Sequence, residues 1–238
     1  MNTRIERIRR EEREYHEQCF ENYKLYQKGS WLHKPVAAVM NHAELLDAAR
    51  PLTVLDLGCG VGRNSIPLAE IVQPAGGKVI CVDLLDTALD KLEEYGEKYE
   101  VDDALVTVKQ DISDFTITPG TYDYIIACSS LEHVRSEAAL HKVLQAMVEG
   151  TRPDGINCVV MHTNIEEYDI PSGERRETFF EVIKTRDYVL NLLSRMYDGW
   201  ERLHLHEEPL ELEITRGDDP VLLKADSVTI AVRKHRLA

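Results

Sequence analysis

Val54-Leu55-Asp56-Leu57-Gly58-Cys59-Gly60-Val61-Gly62-Arg63-Asn64-Ser65 is the stretch from which the rest of the chain can be read. An apolar run ends in an acid, and three alternate glycines then open a helix. Glycines in that place let backbone N–H groups approach a ligand at a helix N-terminus, where side chains would block it. The pattern predicts a nucleotide-type cofactor loop at the carboxyl end of a buried strand.

Working outward, strand and helix signals alternate. Strands are expected at 52–57, 78–82, 104–109, 122–128 and 156–161, with helices at 64–72, 87–99 (capped by Asp86) and 136–149 (capped by Ser136). The turn Arg152-Pro153-Asp154-Gly155 introduces the fifth strand. Such alternation implies parallel strands joined by right-handed crossovers. Beyond it, 164–177 reads as a polar surface excursion and 186–198 as a helix. Strands at 211–215 and 227–233 are expected to form an antiparallel hairpin around Arg216-Gly217-Asp218-Asp219-Pro220. Residues 1–28 and 35–49 read as two helices. The expected fold class is α/β: a Rossmann-like, doubly wound, mostly parallel seven-stranded sheet with a C-terminal antiparallel hairpin and an N-terminal helical lid. Residues 1–50 form the lid and 51–238 the ligand-binding domain.

Composition narrows the function. A chain of 238 residues, 43% hydrophobic and 29% charged, builds a core without staples and has no apolar run of membrane-spanning length. The net charge of −14 repels nucleic acid as a partner. Arg4, Arg7, Arg9, Arg10 and Arg13 are interleaved with Glu6, Glu11, Glu12 and Glu14, which reads as a solvated helix face carrying ion pairs. Cys19, Cys59, Cys81, Cys128 and Cys158 form no Cys-x-x-Cys pair, and four of them sit in or directly after apolar runs. Free thiols in a cytoplasmic protein, with no disulfide and no metal, are expected. The segment Met1-Asn2-Thr3-Arg4-Ile5-Glu6-Arg7 has none of the features of a secretory leader.

The glycine spacing discriminates between cofactors. A dinucleotide fingerprint would place its third glycine at position 63, which is Arg63, whereas here it is Gly62. Asp56 suits a ligand with an ammonium group better than a pyrophosphate. The loop Asp56-Leu57-Gly58-Cys59-Gly60-Val61-Gly62 resembles the first motif of class I methyltransferases that use S-adenosylmethionine, and the resemblance covers roughly residues 50–235. It implies that this cofactor is held by Asp56, Gly58, Cys59, Gly60, Arg63 and Asn64 around the methionine portion. Asp83 and Leu84, 21 residues and more past Gly62, would meet the ribose. Asp111 and Ile112 would meet the adenine, Ser129 the methionine portion, and Trp31 the sulfonium from the lid. Cys128-Ser129-Ser130-Leu131-Glu132-His133-Val134 resembles the family's fourth motif in its small-molecule branches. It implies Glu132 and His133 as catalytic candidates near the methyl group, with His162 as a further possible base.

Several acceptors are excluded by motif. There is no Asn-Pro-Pro-Tyr to grip a flipped base, no Pro-Cys nucleophile, and no acid cluster after the fourth strand to hold magnesium. A small-molecule methyl acceptor remains, for a monomer or homodimer without nucleic-acid or membrane partners. Gly62-Arg63-Asn64-Ser65, with Trp200-Glu201 before the last strands, is similar to the tellurite-resistance methyltransferases, which implies a chalcogen oxyanion as one acceptor. An NAD-dependent oxidoreductase and a non-catalytic cofactor-binding protein of the same fold stand as alternatives.

Overall fold

The strand leading into the glycine loop, β1 (Thr53–Leu57), lies inside an eight-stranded sheet. The structure is a computed structural model describing residues 3–235. In chain order the remaining elements are α1 (Thr3–Asn22), α2 (Ala37–Ala43), α3 (Ser65–Val72), β2 (Lys78–Asp83), α4 (Asp86–Lys98), β3 (Leu105–Lys109), β4 (Tyr122–Cys128), α5 (Glu137–Gly150), β5 (Thr151–Asp169), β6 (Arg175–Arg176), α6 (Arg186–Met196), β7 (Glu201–Arg216) and β8 (Asp219–Arg233). The strand order is β3-β2-β1-β4-β5-β8-β7, with β6 paired to β5. β3 to β5 are parallel, whereas β8 and β7 run antiparallel to their neighbours.

β1 and β4 are apolar because both faces of a parallel sheet are covered. Val54, Tyr124, Ile126 and Cys158 pack toward α2, α3 and α4. Leu55, Leu57, Ile125 and Val159 pack toward α5 and α6. Each fully buried leucine or isoleucine contributes roughly 1.5–3 kcal/mol. β1 has β2 on one side and β4 on the other, so the chain leaves it in opposite directions and a crevice opens at its carboxyl end.

The expected α/β architecture, the hairpin and the N-terminal helical segment are all present, but three boundaries differ. α1 stops at Asn22 because the chain turns at Tyr26, in the left-handed region at φ 65°, where its N–H bonds to Leu32 O. α2 spans only Ala37–Ala43, not 35–49. Asp86 is the first residue of α4 and not its cap; that place is taken by Leu85, with no side-chain bond. Ser136 does cap α5, accepting from Ala139 N.

The largest difference is at the C-terminal end. β5 begins at Thr151, where a turn was expected, and runs on through the supposed polar excursion to Asp169. β7 and β8 extend to a two-residue turn at Gly217-Asp218. Acids and Pro209 obscure the alternation in sequence, and β7 tolerates Pro209 because it is an edge strand. β4 stops opposite Val160, so the ends of β5, β7 and β8 continue as an antiparallel arm beyond the parallel sheet. Ile165, Phe180, Ile214, Val221, Leu223 and Ala225 form a separate apolar cluster inside that arm.

Candidate functional site

A cavity of about 470 Å³ opens at the carboxyl ends of β1, β2 and β4 and continues beneath the arm. Among the residues expected to hold a cofactor, Gly58, Cys59, Gly60, Arg63, Asn64, Asp83, Leu84, Asp111, Ile112, Ser129 and Trp31 all line it. Glu132 and His133 line it as well.

The glycine loop is shaped from both sides. A Cβ at Gly62, φ +89°, would lie 2.3 Å from Leu92 Cδ1, so that glycine lets α4 pack against the loop. A Cβ on Gly60 would meet only Phe20 Cζ at 4.0 Å, which leaves its backbone open toward the cavity. Asp83 accepts from Gly60 N at 2.8 Å and from Leu85 N at 3.0 Å, tying the end of β2 to the loop while its carboxylate lines the cavity.

Asp56 is placed differently from expectation. It is 1% exposed, is not among the cavity's lining residues, and accepts from Ser65 Oγ at 2.6 Å. Burial pushes its carboxyl up to about 7 against the lowering effect of the Ser65 bond. It therefore braces the β1–α3 turn instead of contacting a ligand.

Arg63 carries the free charge of this half of the cavity. Its Nη1 donates to Trp31 O at 2.9 Å and its guanidinium lies 5.1 Å from the Trp31 ring centroid. Among the described residues no carboxylate is within ion-pair distance of it. Asn64 Oδ1 accepts from Val36 N at 3.0 Å and so anchors the segment before α2 to the loop. Asp111, by contrast, is crowded with donors: Arg9 Nη2 at 2.7 Å, Arg135 Nε at 3.0 Å and Ser113 N at 2.8 Å.

The two catalytic candidates are both poorly placed to accept a proton. Glu132 is 0% exposed, and its Oε1 accepts from His162 N at 3.3 Å, which makes it a brace for β5. His133 stacks on Phe180 at 4.8 Å and meets Glu181 at 3.2 Å and Glu12 at 3.8 Å. Burial opposes its charge, yet the bond to Glu181 and the fields of Glu12, Glu181 and Glu132 prevail and raise its pKa to about 9. It is an imidazolium at neutral pH. His162 is the opposite case: burial lowers its pKa below the usual histidine value, its Nε2 lies 2.9 Å from Ser129 Oγ, and it lines the cavity. Ser129 sits in the left-handed region at φ 53°, a strained position at the end of β4 that directs its hydroxyl toward His162.

Residues missed in sequence come from α1 and the arm. Arg9 and Glu12, read as part of a solvated face, turn inward: Arg9 bridges Asp111 and Glu181, and Glu12 meets Arg216 at 2.6 Å. Arg216, 4% exposed, also pairs with Glu167 at 2.6 Å. Glu12 is held down at about 2 because His16, His133 and Arg216 together outweigh its burial. Charge alternation on α1 hides which residues face the protein. Of the aromatic lid candidates, Trp31 reaches the cavity, and Tyr26 donates to Arg63 O at 3.2 Å.

Comparison with known proteins agrees with this geometry. Residues 54–155 match the methyltransferase domain family. TehB of Haemophilus influenzae, described as a probable S-adenosyl-L-methionine-dependent methyltransferase, is 29% identical over 196 residues, covering 81% of this chain and 62% of its own length. The sterol 24-C-methyltransferase ERG6 of Saccharomyces cerevisiae is 29% identical over 129 residues, or 54% of this chain and 32% of that protein. The chain thus spans less than two thirds of either relative. The crystal structure of TehB from Haemophilus influenzae superposes with a TM-score of 0.63 at 26% identity, over 84% of this chain and 62% of that one. Domain match, glycine loop and sheet order together make residues 54–155 a methyltransferase domain similar to those of S-adenosylmethionine-dependent methyltransferases.

Proposed function

We propose that this protein methylates a small molecule, using S-adenosylmethionine held in the crevice at the end of β1. The observation that carries the reading is the convergence on one cavity of Gly60, Asp83, Asp111 and the unpaired Arg63. These suit a ligand bearing a ribose, an adenine and a carboxylate: Asp83 for the hydroxyls, Asp111 and Ile112 for the base, Arg63 for the carboxylate. The bound cofactor would supply a sulfonium-activated methyl group. The protein's own part is to align the acceptor, exclude water and hold the departing proton. His162, neutral and bonded to Ser129, is suited to take that proton. Glu132 positions His162, and cationic His133 shapes the local field. Residues 1–50 act as the lid over the transferase domain at 51–238.

Calorimetry with S-adenosylhomocysteine and NAD tests the reading. Binding of the former alone is expected, and binding of NAD alone would replace it with the oxidoreductase alternative. Transfer of label from the cofactor to any member of an acceptor panel rejects a purely binding role. The likeness to TehB, together with Gly62-Arg63-Asn64-Ser65, supports a second reading in which the acceptor is a chalcogen oxyanion such as tellurite. Mass-spectrometric detection of methylated tellurium after incubation tests it. The five free buried thiols support a cytoplasmic protein and the −14 charge the absence of a nucleic-acid partner, and the chain is taken to act as a monomer or homodimer. Fractionation and light scattering check those points.

A further inference from the structure

The part of the cavity beneath the arm has its own composition. Along β7 the even positions Leu210, Leu212, Ile214 and Arg216 turn inward and line the cavity, while Glu211, Glu213 and Thr215 are exposed on the outer face. Leu223 on β8, paired with Leu212, adds to the same wall. Phe180, with Tyr15 of α1, completes a mainly apolar chamber next to the end of β4, with Ser227 and Thr229 of β8 as its polar lining. Leu210, Leu212 and Ile214 pack within the arm's own apolar cluster and at the same time give the cavity an apolar wall, which suits an apolar ligand.

Three cations that face the chamber are each shared between two carboxylates. Arg216 is shared by Glu12 and Glu167, each 2.6 Å away. His133 is shared by Glu181 and Glu12. Arg9 is shared by Asp111 and Glu181. These three cations pair with four carboxylates, an excess of negative charge that disfavours an incoming anion, and Arg216 Nη1 is the one of their nitrogens that is buried without a hydrogen-bond partner. Arg13 also touches the cavity, but from the exposed face of α1. Drawing Arg216 away from its partners would strand the buried carboxylates of Glu12 and Glu167. Arg63, a half-buried cation with no carboxylate within ion-pair distance among the described residues, lies by the glycine loop and is taken up by the cofactor reading.

We infer that the methyl acceptor is an uncharged organic molecule with an apolar body, seated between α1 and the inner face of the β7–β8 arm, and not an oxyanion. This rests on the methyltransferase reading above. Ser129 and His162 lie where the chamber meets the cofactor crevice, so the atom to be methylated would enter from the apolar side.

The test is calorimetric titration of 2-naphthol, indole and 1-octanol into the S-adenosylhomocysteine complex at neutral pH, with tellurite and selenite as anionic arms. At least one uncharged probe should bind ten times or more tightly than either oxyanion. Leu212→Glu should weaken that probe at least tenfold while leaving S-adenosylhomocysteine affinity unchanged. Glu213→Gln, on the outer face of the same strand, should change neither. Leu212→Ser, which removes apolar surface without adding charge, should still weaken the probe severalfold if the glutamate variant fails to fold. Tighter binding of an oxyanion, failure of all three uncharged probes, or an unchanged probe affinity in both Leu212 variants overturns the inference. If S-adenosylhomocysteine does not bind but the probe does and depends on Leu212, the methyltransferase reading falls and the chamber stands.

Discussion

At the residue scale, the two aspartates that end or precede the loop have separate tasks although they look alike in sequence. Asp83 faces the cavity and holds Gly60 and Leu85, whereas Asp56 is enclosed and bonded to Ser65. Asp83→Ala should therefore weaken S-adenosylhomocysteine binding by about 1–3 kcal/mol, measured by calorimetry. An unchanged affinity would place the ribose elsewhere. His162→Asn should lower kcat by roughly a hundredfold for an acceptor that carries a proton, with cofactor affinity held within twofold. A matching loss in His133→Gln but not in His162→Asn would return the base to the position expected from the Leu-Glu-His motif. Sequence located that motif correctly at the end of β4. It could not show that Glu132 is buried against His162 N or that two carboxylates charge His133.

At the element scale, α1 is tied to the rest of the protein by ion pairs as well as by the buried side chains Ile8, Cys19 and Phe20. Arg9 joins it to Asp111 and Glu181, and Glu12 joins it to Arg216 on β7. These contacts lie over the cavity, so α1 must adjust for a ligand to reach Asp111. Arg9→Ala should raise the hydrogen-exchange rate of α1 amides while leaving β1 and β4 protected, because only local opening is affected. Equal rates in variant and wild type would mean that the helix is held by other contacts. The arm was legible as a hairpin with strands at 211–215 and 227–233, but not in its full length. Gly217-Asp218 was recognised as part of a hairpin, yet the length of β7 depends on β8 pairing with residues as polar as Glu207 and Glu208.

At the scale of the whole molecule, the matched charges around the cavity make stability depend on pH. The pKa of His133 is raised to about 9. Its contribution to stability is therefore full below the unfolded histidine value near 6.5 and is lost as pH rises through about 9. Asp56 acts in a lower window: its raised carboxyl favours the protonated folded form, so its effect declines up to about pH 7 and is constant above that. Between pH 7 and 9, the melting temperature of the wild type should fall relative to His133→Gln by about 4–8 °C. That corresponds to about 2 kcal/mol, allowing for the partial exposure of the ring. Parallel pH profiles for the two proteins would show that the imidazolium is not held by Glu12 and Glu181.

The sequence by itself determined the parallel sheet, the glycine loop and the positions of Asp83, Asp111 and Ser129, because apolar runs, glycine spacing and strand ends are local properties of the chain. The tertiary structure alone decided which face of α1 turns inward and how far the arm reaches. It also decided that His133 is charged and that the pKa of His162 is lowered. Those outcomes depend on partners distant in sequence, Arg9 with Asp111, Glu12 with Arg216 and His133 with Glu181, whose fields and burial exist only once the chain has folded.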